Sequence, residues 1–174
     1  MKKYFLMVNV FLCLLFVTGK VWASDEAEAL SLIAVIDRHE VKAAEDAISK
    51  NSGDGVVEYA QMLKKAHSQN LEKGEMIAQK LGLTLPDTQA VKDLRDKTQQ
   101  DFKILEQTTG EQYPKLYITS MVKGHMDALV LIDQLKKKTG NRDVAKFLKQ
   151  TYHHVATHLK KAKAIESDME ENNL

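Results

Sequence analysis

Residues 112–138, QYPKLYITSMVKGHMDALVLIDQLKKK, and residues 142–168, RDVAKFLKQTYHHVATHLKKAKAIESD, are separated only by Thr139-Gly140-Asn141. In the first segment Ile118, Met121, His125, Ala128, Ile132 and Leu135 recur at alternating steps of three and four. In the second, Val144, Leu148, Thr151, Val155, His158, Ala162 and Ile165 do the same. A helix of 3.6 residues per turn gathers such positions into one stripe. Two striped helices joined by a short Gly-Asn turn fold back on each other as an antiparallel hairpin.

The same reading extends towards the N-terminus. A helix over 25–50 carries the stripe Leu30, Ile33, Asp37, Glu40, Ala44, Ala47, and one over 55–81 carries Ala60, Leu63, His67, Asn70, Gly74, Ile77, Leu81. Asn51-Ser52-Gly53-Asp54-Gly55 is the tight turn between them. A further helix over 88–107, entered through Leu83-Thr84-Leu85-Pro86-Asp87 and capped by Asp87 or Thr88, links the two hairpins. β-Branched alternation is absent, so no strands are expected. The expectation is an all-α protein, an antiparallel four-helix bundle of two hairpins with an extra connecting helix. The polar tail 170–174 is expected to fray.

Residues 1–23 read differently. Lys2 and Lys3 precede an apolar run from Tyr4 to Val17, and Val21-Trp22-Ala23 ends it with small or medium residues. That is the order of a cleaved secretory signal, with an apolar run short of the ~20 residues of a membrane span. A retained anchor is the alternative. Lipidation at Cys13 is disfavoured, because Leu12 precedes it. The expectation is an exported protein, periplasmic or secreted, with 24–174 as a single domain. Losing Lys2, Lys3 and Lys20 takes the 25 basic residues to 22 against 24 acidic ones, a net charge of −2. Such a chain has no field to draw nucleic acid and no segment to span a membrane after processing. Its only Cys and Trp leave with the leader, which excludes disulfides, thiol catalysis and Cys-ligated zinc. The 174 residues less 23 leave 151, enough to bury ~70% of the unfolded surface without crosslinks.

Each stripe is apolar or small except near its middle, where Asp37, Glu40, His67, His125 and His158 stand. At 1.5 Å per residue from the nearest turn, Glu40 lies ~18 Å along the axis, His67 and His125 ~22 Å, and His158 ~27 Å. Helices of ~40 Å bring all of these to mid-height. Buried polar groups must satisfy one another or bind something. In one account Glu40 accepts hydrogen bonds from the imidazoles, and Asn70 and water complete a polar layer. In the other, His67, His125 and His158 ligate a metal, and Glu40 or Asp37 ligates it too or orients a ligand. Three imidazoles with a carboxylate suit Zn, Cu(II) or Fe(II) rather than Ca or Mg. His39 and His153 point off the stripes and are expected in solvent. His154 pairs with His158 by chance spacing. Met62, Met76, Met121 and Met126 read as core filler, and Tyr113 and Tyr117 as core aromatics.

These residues, in this order, resemble domain-of-unknown-function family 4142, exported bacterial proteins labelled as outer-membrane proteins. The resemblance rests on Glu40-Val41, on Val57-Glu58-Tyr59-Ala60-Gln61-Met62-Leu63 running to His67, on Leu85-Pro86, on Tyr113 to Tyr117 with Met121-Val122-Lys123-Gly124-His125, and on His158-Leu159 with Ala162. It covers about 30–165 and implies export and a ferritin-like bundle, without an established activity. Ala66 stands where the family usually has Asp, Tyr113-Pro114 where it has Phe-Asp, and His154 where it often has Pro. The Ala66 departure removes one partner for His67.

Three functions follow. The first is a non-catalytic exported bundle that binds a transition metal through His67, His125, His158 and Glu40. The second is a structural or partner-binding bundle with a metal-free polar layer. The third is a di-iron oxidase. Di-iron chemistry needs Glu-x-x-His on two helices, and no His here has Glu three residues before it. His39-Glu40 is followed by Val41-Lys42-Ala43, so no zinc-protease motif exists either.

Overall fold

The computed structural model describes residues 24–171, so the leader reading lies outside the described residues. Five helices and no strand are present among them: α1 (Asp25–Ser49), α2 (Asp54–Lys80), α3 (Gln89–Gln107), α4 (Gln112–Lys138) and α5 (Arg142–Glu171). Local chemistry fixes their starts. The Ser24 side chain accepts from the Ala27 N–H at 3.1 Å, and Thr88 accepts from Val91 at 3.3 Å. Asn141 Oδ1 accepts from the amides of Asp143 and Val144 at 2.9 and 3.3 Å. Each satisfies amides that a helix start leaves without partners. Gly53 opens α2 at φ 89° and ψ 148°, an essentially glycine-only conformation that costs a side-chain-bearing residue ~1–3 kcal/mol.

α1 pairs with α2 and α4 with α5, while α2 packs on α5 and α1 on α4. α3 lies along α1 and runs parallel to it. Thr88, ahead of α3, donates to Glu28 near the start of α1, and Lys50 at the end of α1 donates to the carbonyls of Leu105 and Glu106. Glu26 accepts from the Gly140 and Asn141 amides, which ties the first turn of α1 to the α4–α5 turn. α3 is thus more than a link. It covers the outer face of α1, which is why residues 29–35 are buried at every position and not on one stripe alone. α5 stays helical through Glu171, beyond the expected stop at 168.

The stripes read from the sequence face inward. Leu63, Ile118, Leu148 and Ala162 are fully buried, and each large aliphatic side chain among them contributes ~1.5–3 kcal/mol by leaving water. The core is divided. One apolar cluster gathers Leu30, Ile33, Ile132, Phe147, Leu148 and Val155, and the other gathers Ala44, Tyr59, Leu63, Tyr117, Ile118 and Met121. Asp37, Glu40, His67, His125, Thr151 and His158 are buried and belong to neither cluster. Two expectations are corrected. Met76 and Met126 are 54% and 49% exposed and fill no core. His39 is half-buried, edge-on to Phe102 of α3, because α3 covers the face of α1 that would otherwise meet solvent.

Candidate metal centre

His67 comes from α2, His125 from α4 and His158 from α5, each placed inward by its helix's apolar repeat. Their ring centroids are 5.9 Å (His67–His125), 5.2 Å (His67–His158) and 5.5 Å (His125–His158) apart. Each offers one ring nitrogen within 4.8 Å of the other two, and all three residues are buried. Among the described residues this is the cluster of His, Cys, Asp and Glu that meets such spacing.

The rings are oriented from behind. His67 Nδ1 lies 2.7 Å from Asp37 Oδ1. The other Asp37 oxygen accepts from Asn70 Nδ2 at 2.8 Å, and Asn70 Oδ1 accepts from the Thr151 hydroxyl at 3.0 Å. The Thr151 hydroxyl also reaches the Phe147 carbonyl at 3.0 Å. α1, α2 and α5 are thereby linked by one polar chain ending on an imidazole. His125 Nδ1 donates to the Met121 carbonyl at 2.6 Å, one turn earlier in its own helix. With both Nδ1 atoms carrying protons, the Nε2 atoms of His67 and His125 are left as acceptors. Those two Nε2 atoms and His158 Nδ1 are buried without a hydrogen-bond partner. The two Nε2 acceptors cannot satisfy one another. Each costs ~1–3 kcal/mol when unpaired, so the arrangement calls for a donor or a Lewis acid between them.

Electrostatics favour neutral rings at His125 and His158, and the charged form at His67. Burial lowers His125 below the ordinary imidazole range, against the nearby Glu40 charge. Burial, joined by His67 and His125, pushes His158 down to about 3. Burial also opposes a charged His67, but the Asp37 hydrogen bond and the Glu40 and Asp37 charges outweigh it and hold His67 above its usual value. Burial raises Asp37 despite His67 and Asn70. A carboxylate behind one imidazole and a carbonyl behind another fix tautomer and ring angle, as the outer partners of metal-bound histidines do.

Asp37 is thus placed behind His67 rather than in the imidazole triangle, and it takes the part that Ala66 cannot. Glu40 is 4% exposed and stands beside the cluster, close enough to act electrostatically on His67, His125, Tyr59 and Tyr117. It accepts no hydrogen bond from an imidazole, contrary to the expected polar layer, because Asp37 and the Met121 carbonyl take the two Nδ1 protons. Its Oε2 has no partner. The sequence reading overlooked Gly124. A Cβ there would sit 3.7 Å from Glu40 Oε1, and a glycine inside an otherwise strong helix is the signal that marks such a close approach. His153 and His154 are exposed and outside the centre.

Three borderline nitrogen donors suit Zn, Cu(II) or Fe(II). A tetrahedral ion at about 2.1 Å holds its nitrogens about 3.4 Å apart, so the rings need to close by no more than about 1.4 Å. The residues fit such an ion. A family model described as a domain of unknown function (DUF4142) matches residues 19–165. The chain belongs to that family. No curated protein and no solved structure matches it significantly.

Proposed function

We propose that this DUF4142 protein is an exported, ferritin-like helical bundle that holds a transition-metal ion at mid-height through His67, His125 and His158. The observation that carries the reading is the convergence of three buried, unpartnered ring nitrogens from three helices. Glu40 supplies negative charge beside the ion, and Asp37 and the Met121 carbonyl hold two of the rings. A bound ion would supply Lewis acidity there. The protein's own role is to desolvate, orient and balance charge. The di-iron alternative is disfavoured because both carboxylates of the layer come from α1.

The test is elemental analysis of the purified protein and calorimetric titration with Zn(II), Cu(II) and Fe(II). Tight, stoichiometric binding that is lost in His125→Ala is expected. Absence of binding by all three ions, or unchanged binding in His125→Ala, refutes the reading. The second reading, a metal-free layer serving specificity, draws on the Thr151–Asn70–Asp37–His67 chain, which is complete without an ion. It predicts a partner whose capture is insensitive to substitution of the three imidazoles.

A further inference from the structure

A cleft between α1, α3 and α4 adjoins the polar layer and shares Glu40 with the metal reading. It holds about 350 Å³, within the range of small-molecule sites. Its walls are apolar, with Ile36 from α1, Leu94 and Ile104 from α3, and Leu116 and Leu131 from α4. At its rim the charges pair off: Lys97 meets Asp101 at 3.0 Å and Asp127 at 3.7 Å, and Lys123 meets Asp127 at 3.2 Å. Glu40 lines the cleft as well. It is 96% buried by the 4% exposure of the residue, and its Oε2 is buried without a hydrogen-bond partner. Gly124, which also lines the cleft, leaves open the space that a side chain would fill next to Glu40.

We infer that this cleft binds a small organic cation, an apolar body ending in a primary ammonium group that Glu40 receives. A buried carboxylate with no donor is costly. An ammonium supplies both opposite charge and up to three N–H donors from a compact head. The rim lysines cannot take that part while Asp101 and Asp127 hold them. Apolar walls favour an alkyl body over water, and a bare metal ion would leave those walls unused. The carboxylate repels organic anions of the same shape. The inference does not need a metal on the imidazoles; an ion there would share the Glu40 charge and weaken the cation's hold without closing the cleft.

The experiment is a titration of isotope-labelled protein, purified after expression of the full chain, with hexylammonium, 1-hexanol and hexanoate, followed by amide chemical shifts. Hexylammonium is expected to produce saturable shifts around Gly124, Ile36 and Leu94, with hexanol weaker and hexanoate without effect. Glu40→Gln is expected to weaken hexylammonium about ten- to hundredfold, as loss of a charge-assisted bond does, and to remove its advantage over hexanol. Gly124→Leu fills the cleft floor and is expected to block all three probes. That variant gains helix propensity, about 1 kcal/mol relative to Gly, so it remains informative if the Glu40 variant does not fold. Hexanoate binding as tightly as hexylammonium, or hexylammonium affinity unchanged in both variants, overturns the inference. Repeating the titration with a chelator separates the two proposals. Persistence is expected, disappearance overturns the cation site while leaving the metal reading intact, and a protein that binds no metal but still binds hexylammonium refutes only the metal centre.

Discussion

Asp37→Ala is the sharpest perturbation of the centre, because Asp37 is 1% exposed and accepts two hydrogen bonds, from His67 Nδ1 at 2.7 Å and Asn70 Nδ2 at 2.8 Å. Removing the carboxylate leaves both donors buried without an acceptor. At ~1–3 kcal/mol each, the metal-free protein should lose about 2–6 kcal/mol. Relief of the carboxylate's own desolvation acts the other way, which puts the expectation near the middle of that range, at about 4 kcal/mol. In a domain of this size each kcal/mol moves the melting midpoint by about 2–4 °C, so a fall of about 8–16 °C is expected. Scanning calorimetry on chelator-treated protein measures it. The same variant should bind metal about 10–100-fold more weakly, since the second partner of a ligating imidazole has been removed. Replacing the connected group together, Asp37→Leu with His67→Leu and Asn70→Leu, should restore much of the melting temperature while abolishing metal binding, because apolar substitutes often equal or exceed buried polar groups in stability. A fall of under about 2 °C in Asp37→Ala would refute the reasoning, for it would mean that the two donors had other acceptors or ready access to water.

Metal at a hundredfold its dissociation constant should stabilise the wild-type protein by about 2.7 kcal/mol, a rise of about 5–11 °C by calorimetry, and His125→Ala should show none. Acid should weaken the fold through His158, whose folded value is pushed down to about 3 by burial against about 6.5 in the unfolded chain. A lowered imidazole contributes stability above its unfolded value and loses it as pH falls towards the folded one. His158→Gln should therefore flatten the decline in melting temperature between about pH 6.5 and 4, while His67, raised by Asp37 and Glu40, contributes with the opposite sign. At the α2–α5 contact, a Cβ at Gly74 would already sit 3.3 Å from the Phe147 ring, so Gly74→Val should cost about 1–3 kcal/mol by overpacking, read as a lower denaturation midpoint in urea.

Much of this architecture was legible because the apolar stripes on the long helices are regular. Leu63, His67 and Gly74, or Ile118, Met121 and His125, are interpretable as one face only if a helix is assumed, and that assumption predicts their burial. The height estimate brought three imidazoles to one level for the same reason, since rise per residue is nearly constant. What periodicity does not carry is lateral placement. Nothing in the sequence indicates that α3 lies along α1, and that cover is what keeps His39 half-buried. Nor could spacing decide which of two carboxylates, Asp37 and Glu40, one turn apart on the same stripe, would reach His67. That choice depends on side-chain direction to within an ångström. Met76 and Met126 were read inward from hydrophobicity alone, although both lie off the buried stripes of α2 and α4.

The split of the interior into two apolar halves has a consequence for how the hairpins find each other. Aliphatic helices are tolerant of sliding, because one leucine layer resembles the next. Here a slip of one helical turn, about 5.4 Å, between α1–α2 and α4–α5 would carry Asp37 and His67 into an apolar half and strand His125 and His158 against leucine. The Asp37–His67 and His125–Met121 bonds lie within single hairpins and would travel with them. The Thr151–Asn70 bond between hairpins would break and the three imidazoles would part, at ~1–3 kcal/mol for each polar group left alone in an apolar layer. The mid-height residues therefore act as a key along the bundle axis, admitting one alignment of the two hairpins and rejecting its neighbours, before any ligand arrives.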